Sequence, residues 1–289
     1  MTTPANPQDA NSNPVSANNA GQVLETQPGE VGEPTSMPAV QPPLEEYEEL
    51  TPELVEDEAI RGDFVIRWAV VLLAFLLAST KVGDASTLVQ IKTGQYLASH
   101  GFLPPRNDVF SATATDRLWP NLSWGFDLIL GSVYSLAGFV GISAFKALVV
   151  AITFALVASI SRRGLPTWWT SICATLALLA CHMRLTAQPT IVTLLGLATV
   201  FFLLHRFREE RSNDLPDAQP QQTRSLWALG LVFVVWCNLD SRAFLGLSCL
   251  LLYTVGETLA ATFKTRSALA PGKVRHLWIV TAICAAAML

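Results

Sequence analysis

Charge is scarce in this sequence: Asp, Glu, Lys and Arg together make up 15% of its 289 residues, where an ordinary soluble domain carries about 25%. The charge present leans acidic, with 23 Asp and Glu against 19 Lys and Arg. No basic stripe runs along any segment, which argues against a nucleic-acid partner, because phosphate backbones are held by clustered cations. Five cysteines are present, but Cys173, Cys181, Cys237, Cys249 and Cys284 all fall in apolar runs without a CxxC pair or a histidine at ligand spacing. That pattern excludes a cysteine-histidine metal centre and predicts small buried apolar side chains. The N-terminus also lacks the basic segment leading directly into an apolar one that marks a signal peptide.

What is there divides sharply in two. Residues 1–43 are rich in Pro, Asn, Gln, Ser and Thr, so they bury too little apolar surface to offset the entropy of ordering. Together with the acidic run Glu45, Glu46, Glu48, Glu49, Glu53, Glu56, Asp57 and Glu58, they predict a disordered tail over 1–60, the run itself being either a short surface helix or solvated charge. From 61 to 289 the chain is dominated by uncharged runs such as Leu148 to Ile160 and Thr190 to Leu204, apolar on every side. Only lipid or other apolar helices receive such surfaces.

The expected fold is therefore an all-α, polytopic transmembrane bundle of about seven spanning helices. Candidate spans lie at 64–80, 142–160, 167–183, 190–205, 225–239, 243–260 and 276–289. The last reaches only about 21 Å at about 1.5 Å per residue, short of the roughly 30 Å hydrocarbon core, which leads us to expect a partly inserted end or a longer protein. Phe126, Ile129, Leu130, Val133 and Ala137 recur at helical spacing with Asp127, Gly131 and Ser135 opposite. This predicts an interfacial helix over 126–138, with Asp127 either paired with Arg184 or Arg242 or marking its wet side.

Basic loop residues are retained in the cytoplasm. Arg61 and Arg67, Arg162 and Arg163, His205 through Arg211, and Lys264, Arg266, Lys273 and Arg275 share one side if 142–160 crosses and 126–138 does not. The N-terminal tail is then cytoplasmic as well. The first loop 81–125, the turn Arg184 to Pro189 and the turn Asn238 to Arg242 emerge together on the extracytoplasmic side, where a polar pocket can form. Lys146, near the outer end of its helix, is expected to snorkel. His182 is a lone imidazole with no partner motif, read as structural.

Asp84, just beyond the first span, has two readings: an acid that deprotonates a hydroxyl or coordinates a cation, or a cap on the helix that follows. Asp108, Trp119 and Trp124 lie further along the same loop. Arg184 and Arg242 read as helix-end residues reaching lipid headgroups.

The phrases Asp84, Lys92-Thr93-Gly94, Gly101, Pro105, Asp108, Phe110-Ser111, Trp119 and Trp124, followed by Arg184-Leu-Thr-Ala-Gln-Pro189 and Trp236-Cys-Asn238-Leu-Asp240, resemble in order and spacing the bacterial GT-C membrane glycosyltransferases. The resemblance covers residues 64–260. The sequence departs from the pattern at Ser86, where a second acid is usual, at Gln90 and Asp240, where histidine is usual, and at Gln188, where a second arginine is usual. The resemblance implies a sugar donor on a polyprenyl phosphate, Asp84 as base, and Arg184, Asp240, Arg242, Asp108, Trp119 and Trp124 as substrate-binding residues. It also implies a multi-pass location in a bacterial plasma membrane and no cofactor beyond an optional divalent cation. Two rival readings are a non-enzymatic membrane scaffold whose tail recruits a partner, and a transporter, although neither midplane ionisable residues nor internal repeats are evident.

Overall fold

A computed structural model describes residues 52–111, 113, 117–161, 166, 168–209, 224–263, 269 and 271–288, of which 52–61, 209, 224 and 225 are described by their backbone alone. Most of the tail, and the loop residues Arg162, Arg163, Arg211, Lys264 and Arg266, lie outside that set. The described helices belong to one unit, Leu50–Leu289. Among the described residues the fold is all-helical, with an isolated antiparallel bridge between Asn107 and Leu118 in place of any strand.

Helix α1 (Pro52–Ala78) begins inside the stretch expected to be disordered. From Pro52 onward the acidic segment is part of this helix, continuous with the apolar run that begins at Phe64. Helices α2 (Ala85–Ser99) and α3 (Trp124–Ala158) follow. After them come α4 (Trp168–Cys181), a 3-10 turn (His182–Arg184), α5 (Thr190–Glu209), α6 (Arg224–Leu239), α7 (Ala243–Thr262) and α8 (Pro271–Ala286). Three of these, α3, α5 and α7, are long and apolar enough to cross a membrane. All seven expected spans coincide with helices, but the count of crossings is not decided by that coincidence.

Helix α3 is broken at Gly138, whose φ of 60° and ψ of −151° lie outside the helical region. A residue without Cβ adopts that backbone at little cost, and a bulkier one does not. The break falls where the sequence pattern changes from amphipathic to uniformly apolar. It separates 124–137 from 139–158, so the two halves take different directions.

Two glycine-framed seams hold the helices together. At the first, an added Cβ on Gly94 of α2 would collide with the backbone carbonyl of Asp127, and one on Gly131 would stand 2.6 Å from the Gly94 carbonyl carbon. The backbones of α2 and α3 therefore meet directly. At the second, the buried indole of Trp236 lies against Gly196 of α5 and Gly246 of α7, where an added Cβ would collide with the ring. Phe233 packs beside it, with ring centroids 5.5 Å apart.

The cysteines depart from expectation. Cys284 alone is buried, Cys173 is exposed and the other three are intermediate, all as free thiols. An apolar surface facing lipid admits cysteine as readily as a packed interior does, so hydropathy alone does not place it.

Candidate functional site

The polar segments expected to share a side do come together at one end of the bundle. Ser86 at the start of α2 accepts a hydrogen bond from Gln188 Nε2 at 3.1 Å, and Thr87 Oγ1 donates to the Ala187 carbonyl at 3.3 Å. These bonds fasten the α2 entrance to the turn before α5. That turn is in turn tied to the α6–α7 connection: Thr193 Oγ1 donates to Asp240 Oδ2, and Arg242 Nη1 donates to Thr190 Oγ1. The start of α3 joins them, because Gly125 approaches so closely that an added Cβ would stand 2.8 Å from the Asn238 carbonyl oxygen.

Asp84 occupies the N-cap position of α2 with extended backbone, yet its carboxylate makes no capping hydrogen bond. Thr87 N–H is met instead by the Asp84 backbone carbonyl, at 3.1 Å. The side chain is half-buried, and its charge acts on the ammonium of Lys146. The carboxylate is thus free of the structural duty most often given to an acid there.

Lys146 overturns the expectation that it snorkels. Its side chain is 2% exposed, and Nζ donates to both the carbonyl and the hydroxyl oxygen of Thr80 at 3.0 Å, while Ser143 Oγ donates to the same carbonyl at 3.2 Å. Thr80 lies just past α1, where carbonyls have no partner within the helix. The ammonium and the Ser143 hydroxyl supply those bonds and fix the end of α1 to α3, so reaching outward would give up both bonds from Nζ.

Asp127 is likewise not on a wet face. It is 4% exposed in the α2–α3 seam, because Gly94 lets α2 close over it. Asn121 Nδ2 donates to its Oδ2 at 2.8 Å, and Oδ1 has no hydrogen-bond partner. Its partner is therefore Asn121 rather than Arg184 or Arg242. The Oε1 atom of Gln90, on α2, is also buried without a partner.

Asp240 is 3% exposed and fully engaged. Beyond the bond from Thr193, its Oδ1 accepts from the Arg242 N–H at 3.2 Å, which closes the turn into α7. Trp236 Nε1 donates to Thr193 Oγ1 at 3.4 Å, extending the chain of bonds into the tryptophan seam. Asp108 is engaged in a similar local way, accepting from the N–H groups of Phe110 and Ser111 at 2.9 and 3.2 Å. Trp119 stacks edge-on against Phe110 at 5.5 Å, Phe110 meets Tyr96 at 6.0 Å, and Tyr96 stacks on His100 at 4.0 Å. Trp124 is the half-buried first residue of α3. Arg184 is exposed at the end of the 3-10 turn, and Arg242 is exposed at the start of α7. His182 is exposed, its Nδ1 lying 2.6 Å from the Leu179 carbonyl oxygen.

Asp84 and Arg184 are thus free to meet a ligand, whereas Asp108 and Asp240 serve the fold. Among the described residues no group of three or more His, Cys, Asp or Glu is placed to hold a metal ion. One residue escaped sequence reasoning: Glu257, buried in the last two turns of α7, with Oε1 3.8 Å from Arg208 Nη1 and Oε2 unpartnered. An acid inside an apolar run was the signal that could have found it. No family model, curated protein or solved structure matches this chain.

Proposed function

We propose that this chain is a membrane glycosyltransferase of the GT-C kind, with about seven crossings and a cytoplasmic N-terminus. In this reading it works at the extracytoplasmic face of a bacterial plasma membrane, moving a sugar from a polyprenyl-phosphate donor to a hydroxyl acceptor. The observation that carries the proposal is the state of Asp84: at a helix N-cap, yet not spent on capping, and joined through Ser86 and Gln188 to the turn that follows Arg184. The carboxylate takes the acceptor proton as the acceptor oxygen bonds to the anomeric carbon. The bond from that carbon to the phosphate oxygen breaks, the electron pair leaves with the polyprenyl phosphate, and the Arg184 guanidinium meets the phosphate charge.

The test is transfer by the full chain in nanodiscs, using a panel of polyprenyl-phosphate-linked hexoses and hydroxyl acceptors. Asp84→Asn is expected to lower transfer by about 100-fold or more while the protein remains folded and inserted. Unchanged transfer would remove Asp84 from the mechanism.

A second reading, a non-enzymatic scaffold, is favoured by the engagement of Asp108 and Asp240 within the fold. Deleting residues 1–51, which leaves α1 whole, separates the two, because a scaffold loses its partner and a transferase keeps its chemistry. The transporter reading gains little from Glu257, which lies towards the end of α7 rather than at its middle.

A further inference from the structure

The loop between α2 and α3 presents an apolar face that no described part of the chain covers. Phe102, Leu103, Val109, Phe110, Leu118 and Leu122 are all exposed, Leu103 to 73% and Leu118 to 76%. This is not the exposure of a loose segment. The Asn107–Leu118 bridge is closed by the Asp108 N–H donating to the Arg117 carbonyl at 3.0 Å and the Trp119 N–H donating to the Arg106 carbonyl at 2.9 Å. The Asp108 turn stiffens one side of the loop, and the Trp119, Phe110 and Tyr96 rings anchor it to α2. Phe102 is held at a φ of 65°, a conformation that costs a bulky residue free energy and leaves its ring outside.

We propose that residues 101–111 and 117–122 form a docking surface for the lipid bilayer itself. The apolar side chains enter the boundary between headgroups and acyl chains, and Arg106 and Arg117 engage lipid phosphates. Charge complementarity selects this occupant. Both arginines are exposed and flank the bridge that carries Leu118; Asp108, the acid among the described residues of the loop, is occupied by backbone N–H groups, and Asp116 lies outside the described residues. Apolar anchors beside cations are what an interfacial segment needs against anionic lipid. The surface is also continuous with the start of α3, a helix apolar enough to cross a membrane. The inference is independent of the transfer reading, because it requires only that the bundle sits in a bilayer.

The test places an environment-sensitive NBD dye at Leu103→Cys or Leu118→Cys, in the full chain with its native cysteines replaced by alanine, reconstituted at one copy per nanodisc. Blue-shifted emission, quenched by lipids brominated near the headgroup and less by lipids brominated near the chain end, is the expected result. The pair Arg106→Gln and Arg117→Gln should reduce that quenching in phosphatidylglycerol nanodiscs and leave it unchanged in phosphatidylcholine. Water-like emission indifferent to brominated lipid overturns the proposal. So does a blue shift that appears only when two copies share a nanodisc, which would make the occupant a second copy. Running the dye-labelled protein with Asp84→Asn added should give the same emission, so failure of the transfer reading leaves this outcome readable.

Discussion

The α6–α7 turn and the entrance to α2 stand together at one end of the bundle and treat their carboxylates in opposite ways. In the turn, both oxygens of Asp240 are bonded, and through Thr193 and Trp236 the acid helps to hold three helices in register. At the entrance, Asp84 caps nothing, and further along α2, where Gly94 meets α3, Asp127 keeps one oxygen without a partner. A saturated carboxylate maintains a fold, whereas one left unsatisfied has capacity to spare for something else. Exposure does not separate the two regions, since Asp127 is as deeply buried as Asp240. The hydrogen-bond inventory does.

Asp240→Ala tests the saturated side and should have the largest effect. It strands the Thr193 hydroxyl and the Arg242 N–H, and is expected to destabilise the protein by about 3 kcal/mol, read as a lower denaturation midpoint in detergent. Gly94→Ala probes what holds α2 against α3. Its methyl group meets the Asp127 backbone rather than a yielding side chain, so a loss of about 1–3 kcal/mol is expected in the same assay. Asp84→Asn breaks no hydrogen bond but removes the charge that acts on the buried Lys146 ammonium, so a loss of no more than about 1 kcal/mol is expected. A large drop there would place Asp84 with Asp240 as a structural acid and erase the comparison. Asp127→Asn should move stability by less than about 0.5 kcal/mol or raise it, because a neutral amide keeps the contact with Asn121 while removing an uncompensated buried charge.

Much of the framework is legible in the sequence because helix formation and membrane compatibility depend on local composition. The uniformly apolar run from Thr190 predicts α5, and the change of pattern after Ala137 anticipates the break at Gly138. Charge counting brings the loops around 84, 188 and 240 to one side, and the Ser86–Gln188 and Thr193–Asp240 bonds join those same segments. Lys146 was misplaced because its acceptors on Thr80 are remote in the sequence, and no local pattern announces a partner at that distance. Asp127 was misplaced because amphipathic spacing marks a face as polar without saying what covers it, and the two glycines that let α2 close over it lie on different helices.

By itself the sequence determined that this chain is mainly helical and carries apolar segments suited to a lipid environment, because both properties are additive over neighbouring residues. Only the tertiary structure decided which acids remain free: Asp84 rather than Asp108 or Asp240, with Asp127 half satisfied. Hydrogen-bond saturation belongs to pairs of groups, and the partners of Lys146, Asp240 and the Gly94 seam come together only when the helices pack.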